Sequence, residues 1–343
     1  MHQLRERHPP SASRCMAALL EHYGLIGDTT TVALVSRTGS IDWLCLPRID
    51  SDACFAKLVG TDDHGYWAIR PADDVRRVRQ RYRGDTLILE TELTCQGGRA
   101  RIIDFMPFAA SEKEHDIIRI VEGIEGEVRM HLDLKARFAY GHLIPWIHVD
   151  GRRATLVSGP DALAFTSPVR LAPDYDAARL ECDFVVRAGD RLPFTLEYYP
   201  SHHAMPDRLI DTAQALDRTA RQWSEWSSRC HYQGPYRDAV VRSLITLKAL
   251  TVASTGGLVA DLVVQRRRSA RGGVPPGAPP PARELPAGVL THRAHQQRVP
   301  ARAPAGRSSA LSHGRDRRLT NYRLIRAVTN PARHEPTLTS STP

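Results

Sequence analysis

The sequence predicts a mainly β protein: a large antiparallel β-sandwich, then two helices, then a disordered tail. Three observations carry this. Residues 65–200 hold ten short apolar segments, many alternating with period two and most separated by glycine-bearing turns. No helical crossover lies between them, which disfavours a parallel α/β arrangement and favours stacked antiparallel sheets. The period then changes from two to about 3.6 at Pro206.

Taken in order, residues 1–15 (MHQLRERHPPSASRC) are charged and aperiodic and read as a disordered leader, with Met16 an alternative start. Residues 17–23 suggest a short helical stretch ended by Gly24. Residues 30–35 are rich in β-branched residues, and Arg37-Thr38-Gly39 signals a turn. Residues 40–46 resume as a strand, with Ile41, Trp43 and Cys45 expected on one side and Asp42 and Leu44 on the other. Pro47 stops that ladder, because it has no N–H to donate. Residues 52–59 allow about two helical turns with Asp52 near the cap.

The expected strands of the sandwich are 66–70, 76–83, 86–94, 100–107, 117–122, 128–138, 154–157, 162–166, 179–187 and 192–198. In 86–94, Leu87, Leu89, Thr91 and Leu93 share a face; in 129–138, Met130, Leu132, Leu134, Ala136 and Phe138 do. Residues 83–85, 96–98, 123–126, 150–151 and 188–190 read as turns. Beyond Pro206, residues 208–229 form a helix capped by Asp207, with an apolar stripe through Leu209, Ala213, Leu216, Ala220, Trp223 and Trp226. Gly234-Pro235 breaks it, and residues 236–250 form a second helix with Val240, Leu244 and Leu247 at helical spacing.

The formal charge is +9, but residues 261–343 hold fifteen Arg, no Lys and four acids. All the excess positive charge therefore sits in that segment, and the rest is nearly neutral. Eleven of the 24 prolines and a single aromatic residue, Tyr322, fall in it. Such a composition buries too little apolar surface to offset its ordering entropy, so disorder is expected. The run Arg266-Arg267-Arg268 could touch phosphate, but aromatic stacking partners are nearly absent, so no nucleic-acid partner is expected.

The six cysteines form no CxxC pair and no zinc spacing. They read as thiols of a reducing compartment, and the expected location is cytoplasmic. No apolar run reaches the roughly eighteen residues that a membrane helix needs, so no membrane partner is expected. There is no phosphate-binding loop, no GxGxxG, no HExxH and no GxSxG elbow. Neither metal nor cofactor is expected.

One stretch concentrates unusual chemistry: GSIDWLCLPRIDS at residues 39–51. Together with LIGD at 25–28, TVALV at 31–35 and ACF at 53–55, it resembles the N-terminus of glycoside hydrolase family 15, the bacterial and archaeal glucoamylase and trehalase-like group. GPY at 234–236, RS at 242–243, TLKALT at 246–251, TGG at 255–257 and VA at 259–260 resemble that family's passage into its catalytic domain. The resemblance spans residues 16–260.

It implies an N-terminal β-sandwich (16–205), a helical linker with the start of a barrel (206–257), and then an (α/α)6 barrel. That barrel carries the acid and base Glu residues that hydrolyse α-glucosides or trehalose with inversion. After Ala260 the pattern stops, and the chain reads Asp261-Leu-Val-Val-Gln-Arg-Arg-Arg268. Six helical hairpins need on the order of 200 residues, so the remaining segment, 258–343, does not build the barrel. The expectation is a truncated, non-catalytic member, with a frameshift near codon 260. The other two reading frames test that expectation: it fails if neither resumes the family's Trp-Leu-Arg-Asp pattern. A separately supplied barrel giving an active α-glucosidase, and a carbohydrate-binding module, are the alternatives.

The candidate substrate-binding residues are Asp42, Trp43, Arg48 and Asp50. A Trp face suits a pyranose and planar charged groups suit vicinal hydroxyls. The competing role is structural: Trp43 in the core, and Arg48 paired with Asp50 or Asp52. Glycosidases hold two carboxyls about 5–10 Å apart; no catalytic residue is assigned here.

Overall fold

The structure, a computed structural model, describes residues 18–108, 115–253 and 255–259. The expected leader, the alternative start at Met16 and, of the expected tail 258–343, residues 260–343 lie outside these residues; Leu258 and Val259, expected to begin that tail, instead pair with Thr251 and Leu250. Among the described residues, fifteen strands form one antiparallel sheet that folds over into two layers. The first layer contains β1 (Tyr23–Gly27), β2 (Val32–Ser36), β3 (Ser40–Cys45), β4 (Ala53–Phe55) and β5 (Tyr66–Pro71). The second contains β6 (Val75–Tyr82), β7 (Leu89–Cys95) and β8 (Gly98–Phe105). The long β9 (His115–Lys135) joins them.

The second layer continues with β10 (Trp146–Asp150), β11 (Arg153–Ser158) and β12 (Asp161–Thr166). The short β13 (Ala172–Asp174) and β14 (Arg179–Arg187) return to the first layer, and β15 (Arg191–Pro200) closes the second.

Strand β9 corrects one expectation. Residues 117–122 and 128–138 read as two strands separated by a turn at 123–126, whereas 115–135 is one strand. Its first half pairs with β8 and β15, its second half with β5 and β14. The glycines mark the point where the strand passes between layers. Gly126 has φ +62°, and a Cβ on Gly123 would lie 1.9 Å from the Arg187 carbonyl oxygen. The signal for a turn and the signal for a bent strand are the same residue type, and only the pairing partners separate them.

The two layers enclose one core. Trp67 packs edge-on against Phe165, with ring centres 5.4 Å apart, and Phe184 meets Phe194 at 5.2 Å. Leu132, Leu134 and Met130 point into it, as the alternation predicted. Through the same layers runs a buried ion pair. Arg119 on β9 donates from Nε to Asp104 on β8 at 2.8 Å, from Nη1 to the Trp67 carbonyl at 2.7 Å and from Nη2 to the Gly39 carbonyl at 2.8 Å. Both side chains are fully buried.

Three further differences have physical causes. Residues 17–23 were expected to be helical; a single 3-10 turn (Leu20–His22) leads instead into β1. Gly24 is a packing residue there rather than a helix stop, since a Cβ would sit 2.5 Å from Leu89 Cδ2. Residues 52–59 were expected to be helical; Ala53 and Phe55 instead pair with Cys45 and Leu44, and only Lys57–Val59 makes a 3-10 turn. Tertiary pairing overrides weak helix propensity. The strands β10 and β13 carried no clear sequence signal: β10 ends an edge and β13 is three residues long.

The helix α1 (Thr212–Ser227) begins four residues after the expected start, capped by Asp211, whose carboxylate accepts from the Ala213 and Gln214 amides. Asp207 instead pairs with Arg153 at 3.1 Å, and Leu209 is exposed. Ala215 and Leu216 cover Ile103, Phe105, Ile118 and Ile120 on the outer face of the second layer. The helix α2 (Arg237–Ala249) buries Val241, Ile245 and Ala249 against Tyr23, Leu25, Leu34 and Trp223. Leu244 and Leu247, two of the three residues at the expected helical spacing, lie on its exposed side instead. This covering explains why β1 and β2 are buried on both faces.

Candidate functional site

The stretch from Gly39 to Ser51 lies where β3 runs into the turn before β4. Gly39 opens it at φ +80°, and a Cβ there would meet the Ile69 carbonyl oxygen at 2.3 Å. This position therefore requires glycine. Its carbonyl takes both the Arg119 guanidinium and the Ile69 amide, at 2.8 and 2.9 Å. The first residue of the motif is tied to the buried ion pair.

In the β2–β3 ladder Leu34 faces Trp43 and the next residue, Val35, faces Ile41, so Asp42 is an extra, bulged residue. The bulge breaks the expected alternation. Ile41 and Leu44 enter the main core, while Trp43 and Cys45 turn to the opposite side. Asp42 itself is 3% exposed. The Tyr23 hydroxyl donates to its Oδ2 at 2.7 Å and the Ser40 hydroxyl to its Oδ1 at 2.5 Å. Burial raises its pKa; Lys57 opposes this. Both oxygens are engaged inside the protein.

Arg48 and Asp50 form a two-pronged pair at the surface, Nε to Oδ1 at 2.9 Å and Nη2 to Oδ2 at 3.0 Å. The turn is closed by Ser51, whose amide donates to the Arg48 carbonyl at 3.0 Å. Asp50 is the more exposed of the two. Exposed pairs of this kind add only about 0–1 kcal/mol to stability.

Trp43 is half-buried, and its indole meets Tyr140, with ring centres 6.3 Å apart and planes tilted by 44°. Tyr140 carried no sequence signal beyond the neighbouring Gly141. It sits on a strained corner: Ala139 and Tyr140 have φ +49° and +57°. Left-handed backbone in non-glycine residues costs of order 1–3 kcal/mol and persists only where the surroundings impose it. Here the Phe138–Leu143 bridge clamps the corner, with mutual hydrogen bonds of 2.9 and 3.0 Å. Burial, then Cys45 and Asp52, push the Tyr140 hydroxyl up to about 12, so it stays a protonated donor at neutral pH. The structure thus brings Trp43, Tyr140 and Cys45 into one cluster, places the Arg48–Asp50 pair on the turn that follows β3, and buries Asp42 against Tyr23 and Ser40.

Fold and site together define a β-sandwich with a helical cover, an aromatic Trp43–Tyr140 contact and a surface Arg48–Asp50 pair. Residues 14–196 match the family described as trehalase-like, N-terminal, and the chain belongs to that family. Among relatives, a trehalase of Thermoplasma volcanium is 30% identical over 246 residues, covering 70% of this chain and 39% of that protein. A trehalase of Mycolicibacterium smegmatis is 25% identical over 283 residues, covering 75% and 40%. The chain thus spans about two fifths of the length of these relatives. A solved bacterial glucoamylase, complexed with acarbose, superposes with a TM-score of 0.52 at 12% identity, covering 74% of this chain and 44% of that one. The last comparison shows the shared fold.

Proposed function

We propose that this chain supplies the non-catalytic sandwich and linker of a trehalase- or glucoamylase-type α-glucosidase. On this reading residues 16–205 are the sandwich and 206–257 the linker that leads toward a catalytic barrel. The substrate class is α-glucosides, trehalose or maltooligosaccharides, and the chain does not turn them over unaided. The family match is the observation that carries this. The state of the carboxylates supports it: Asp42 is buried with both oxygens engaged, and Asp50 is neutralised by Arg48. Neither is presented as a free acid or base.

The contribution to sugar binding lies at the Trp43–Tyr140 edge. On this reading the part-exposed indole of Trp43 is the stacking surface, and the Arg48–Asp50 pair supplies planar donors and acceptors for vicinal hydroxyls. A cytoplasmic setting fits the five described cysteines, all free thiols. No described helix is long and apolar enough to cross a membrane.

Two measurements on the purified chain test this. Turnover of trehalose, maltose or maltooligosaccharides above background would overturn the non-catalytic assignment. Calorimetric titration with the same sugars tests the edge: weak binding that Trp43→Ala abolishes is expected, and absence of binding by the intact chain removes the sugar-contact role.

A further inference from the structure

The outer face of the first layer carries a cluster unrelated to the Trp43 edge. Strand β9 places His131 and Asp133 on the face opposite Met130, Leu132 and Leu134. Strand β14 places Glu181 directly across from Asp133, and Asp183 directly across from His131. On the other side, β5 sets Ala68 beside Asp133, contributing only a methyl group, and Arg70 beside His131. One ligand atom each from His131, Asp133 and Glu181 lies within 4.8 Å of the others.

Three features distinguish this from an ordinary charged surface. Asp133 is 3% exposed; the Tyr66 hydroxyl donates to its Oδ2 at 2.6 Å, and its Oδ1 has no hydrogen-bond partner. A buried carboxylate oxygen without a partner is costly. His131 Nδ1 lies 2.7 Å from Asp183 Oδ1, so Nδ1 is the nitrogen that donates to this carboxylate. The other ring nitrogen, Nε2, lies 3.7 Å from Glu181 Oε1. The carboxylate–histidine arrangement is also the one that orients metal-bound imidazoles.

Four carboxylates converge here: Asp133, Glu181, Asp183 and Asp174. Arg179 answers three of them, at 3.1 Å from Glu181, 3.3 Å from Asp174 and 3.8 Å from Asp133. Lys135 is committed to Asp63. Arg179 is one-third exposed and can withdraw toward Asp174 when another cation enters.

We propose that His131, Asp133 and Glu181 form a binding site for a first-row transition-metal dication of the Zn2+ class. One imidazole nitrogen and two carboxylate oxygens suit that ion better than Ca2+ or Mg2+, which favour all-oxygen shells. Ligand bonds of about 2.0–2.2 Å require the three side chains to draw together by roughly an ångström. Water completes the coordination.

The test is calorimetric titration of the chelator-stripped full chain with ZnCl2. One equivalent binding in the micromolar range or tighter is expected. His131→Gln and Glu181→Gln, both at part-exposed positions, should each weaken binding by about tenfold or more. Asp183→Asn, at an 84% exposed position, should weaken it through loss of the imidazole orientation while leaving the fold intact by circular dichroism. The double variant His202→Ala/His203→Ala should bind as the parent does. No saturable binding by the parent chain below about 100 µM overturns the proposal. So does binding that survives both His131→Gln and Glu181→Gln, which would place the ion elsewhere.

Discussion

Replacing Arg119 by Met is the sharpest test of how the two layers are held together. Methionine keeps the length of the stem and removes the guanidinium. Asp104 is then left as a fully buried carboxylate with no counter-charge, and the Trp67 carbonyl loses a charged donor. The Gly39 carbonyl keeps its bond from the Ile69 amide. Removing one member of a buried pair costs about 3–5 kcal/mol. For a domain of this size that is a fall in Tm of roughly 6–20 °C. Burial already raises the Asp104 pKa against the opposing pull of Arg119, and without Arg119 it rises further. The deficit should therefore shrink as pH falls and Asp104 takes up a proton. The double variant Arg119→Met/Asp104→Leu removes both charges and should recover more than half of the loss. Urea and thermal unfolding of the three proteins, followed by circular dichroism, provide the readout. A single-variant loss below about 1 kcal/mol, or a double variant no better than the single, would refute the reasoning.

Other outcomes follow from the same contacts. Tyr23→Phe leaves Asp42 Oδ2 buried without its donor and should cost about 1–3 kcal/mol in urea unfolding. Gly39→Ala forces a left-handed backbone on alanine and a Cβ into the Ile69 carbonyl, so it should destabilise by well over about 1 kcal/mol, read as a lower denaturation midpoint. Glu197, buried and beside Asp116, has its pKa raised from 4.5 to about 7 despite Arg208. The folded state therefore holds a proton that the unfolded chain releases, and stability contributed by this group declines as pH rises from about 4.5 to about 7. Glu197→Gln should flatten that decline in unfolding midpoints measured across this window.

The sandwich was legible because alternation is a local property. Leu89, Thr91 and Leu93 point inward because successive side chains on a strand face opposite ways, whatever lies across the ladder. Helix α2 was legible as a helix but not as to which face it buries. Val241, Ile245 and Ala249 share a stripe as good as Val240, Leu244 and Leu247, and the choice belongs to β1 and Trp223.

The residues 39–51 divide the same way. By itself the sequence identified the family and marked Asp42, Trp43, Arg48 and Asp50 as unusual. Tertiary structure alone decided their state. A bulge opposite Leu34 and Val35 sends Asp42 inside to Tyr23 and Ser40, and a strained corner nearly a hundred residues away sets Tyr140 beside Trp43. Composition and period report on neighbours along the chain. Tyr23, which helps bury the carboxylate, and Tyr140, which meets the indole, come from other elements of the chain, and no local pattern encodes them.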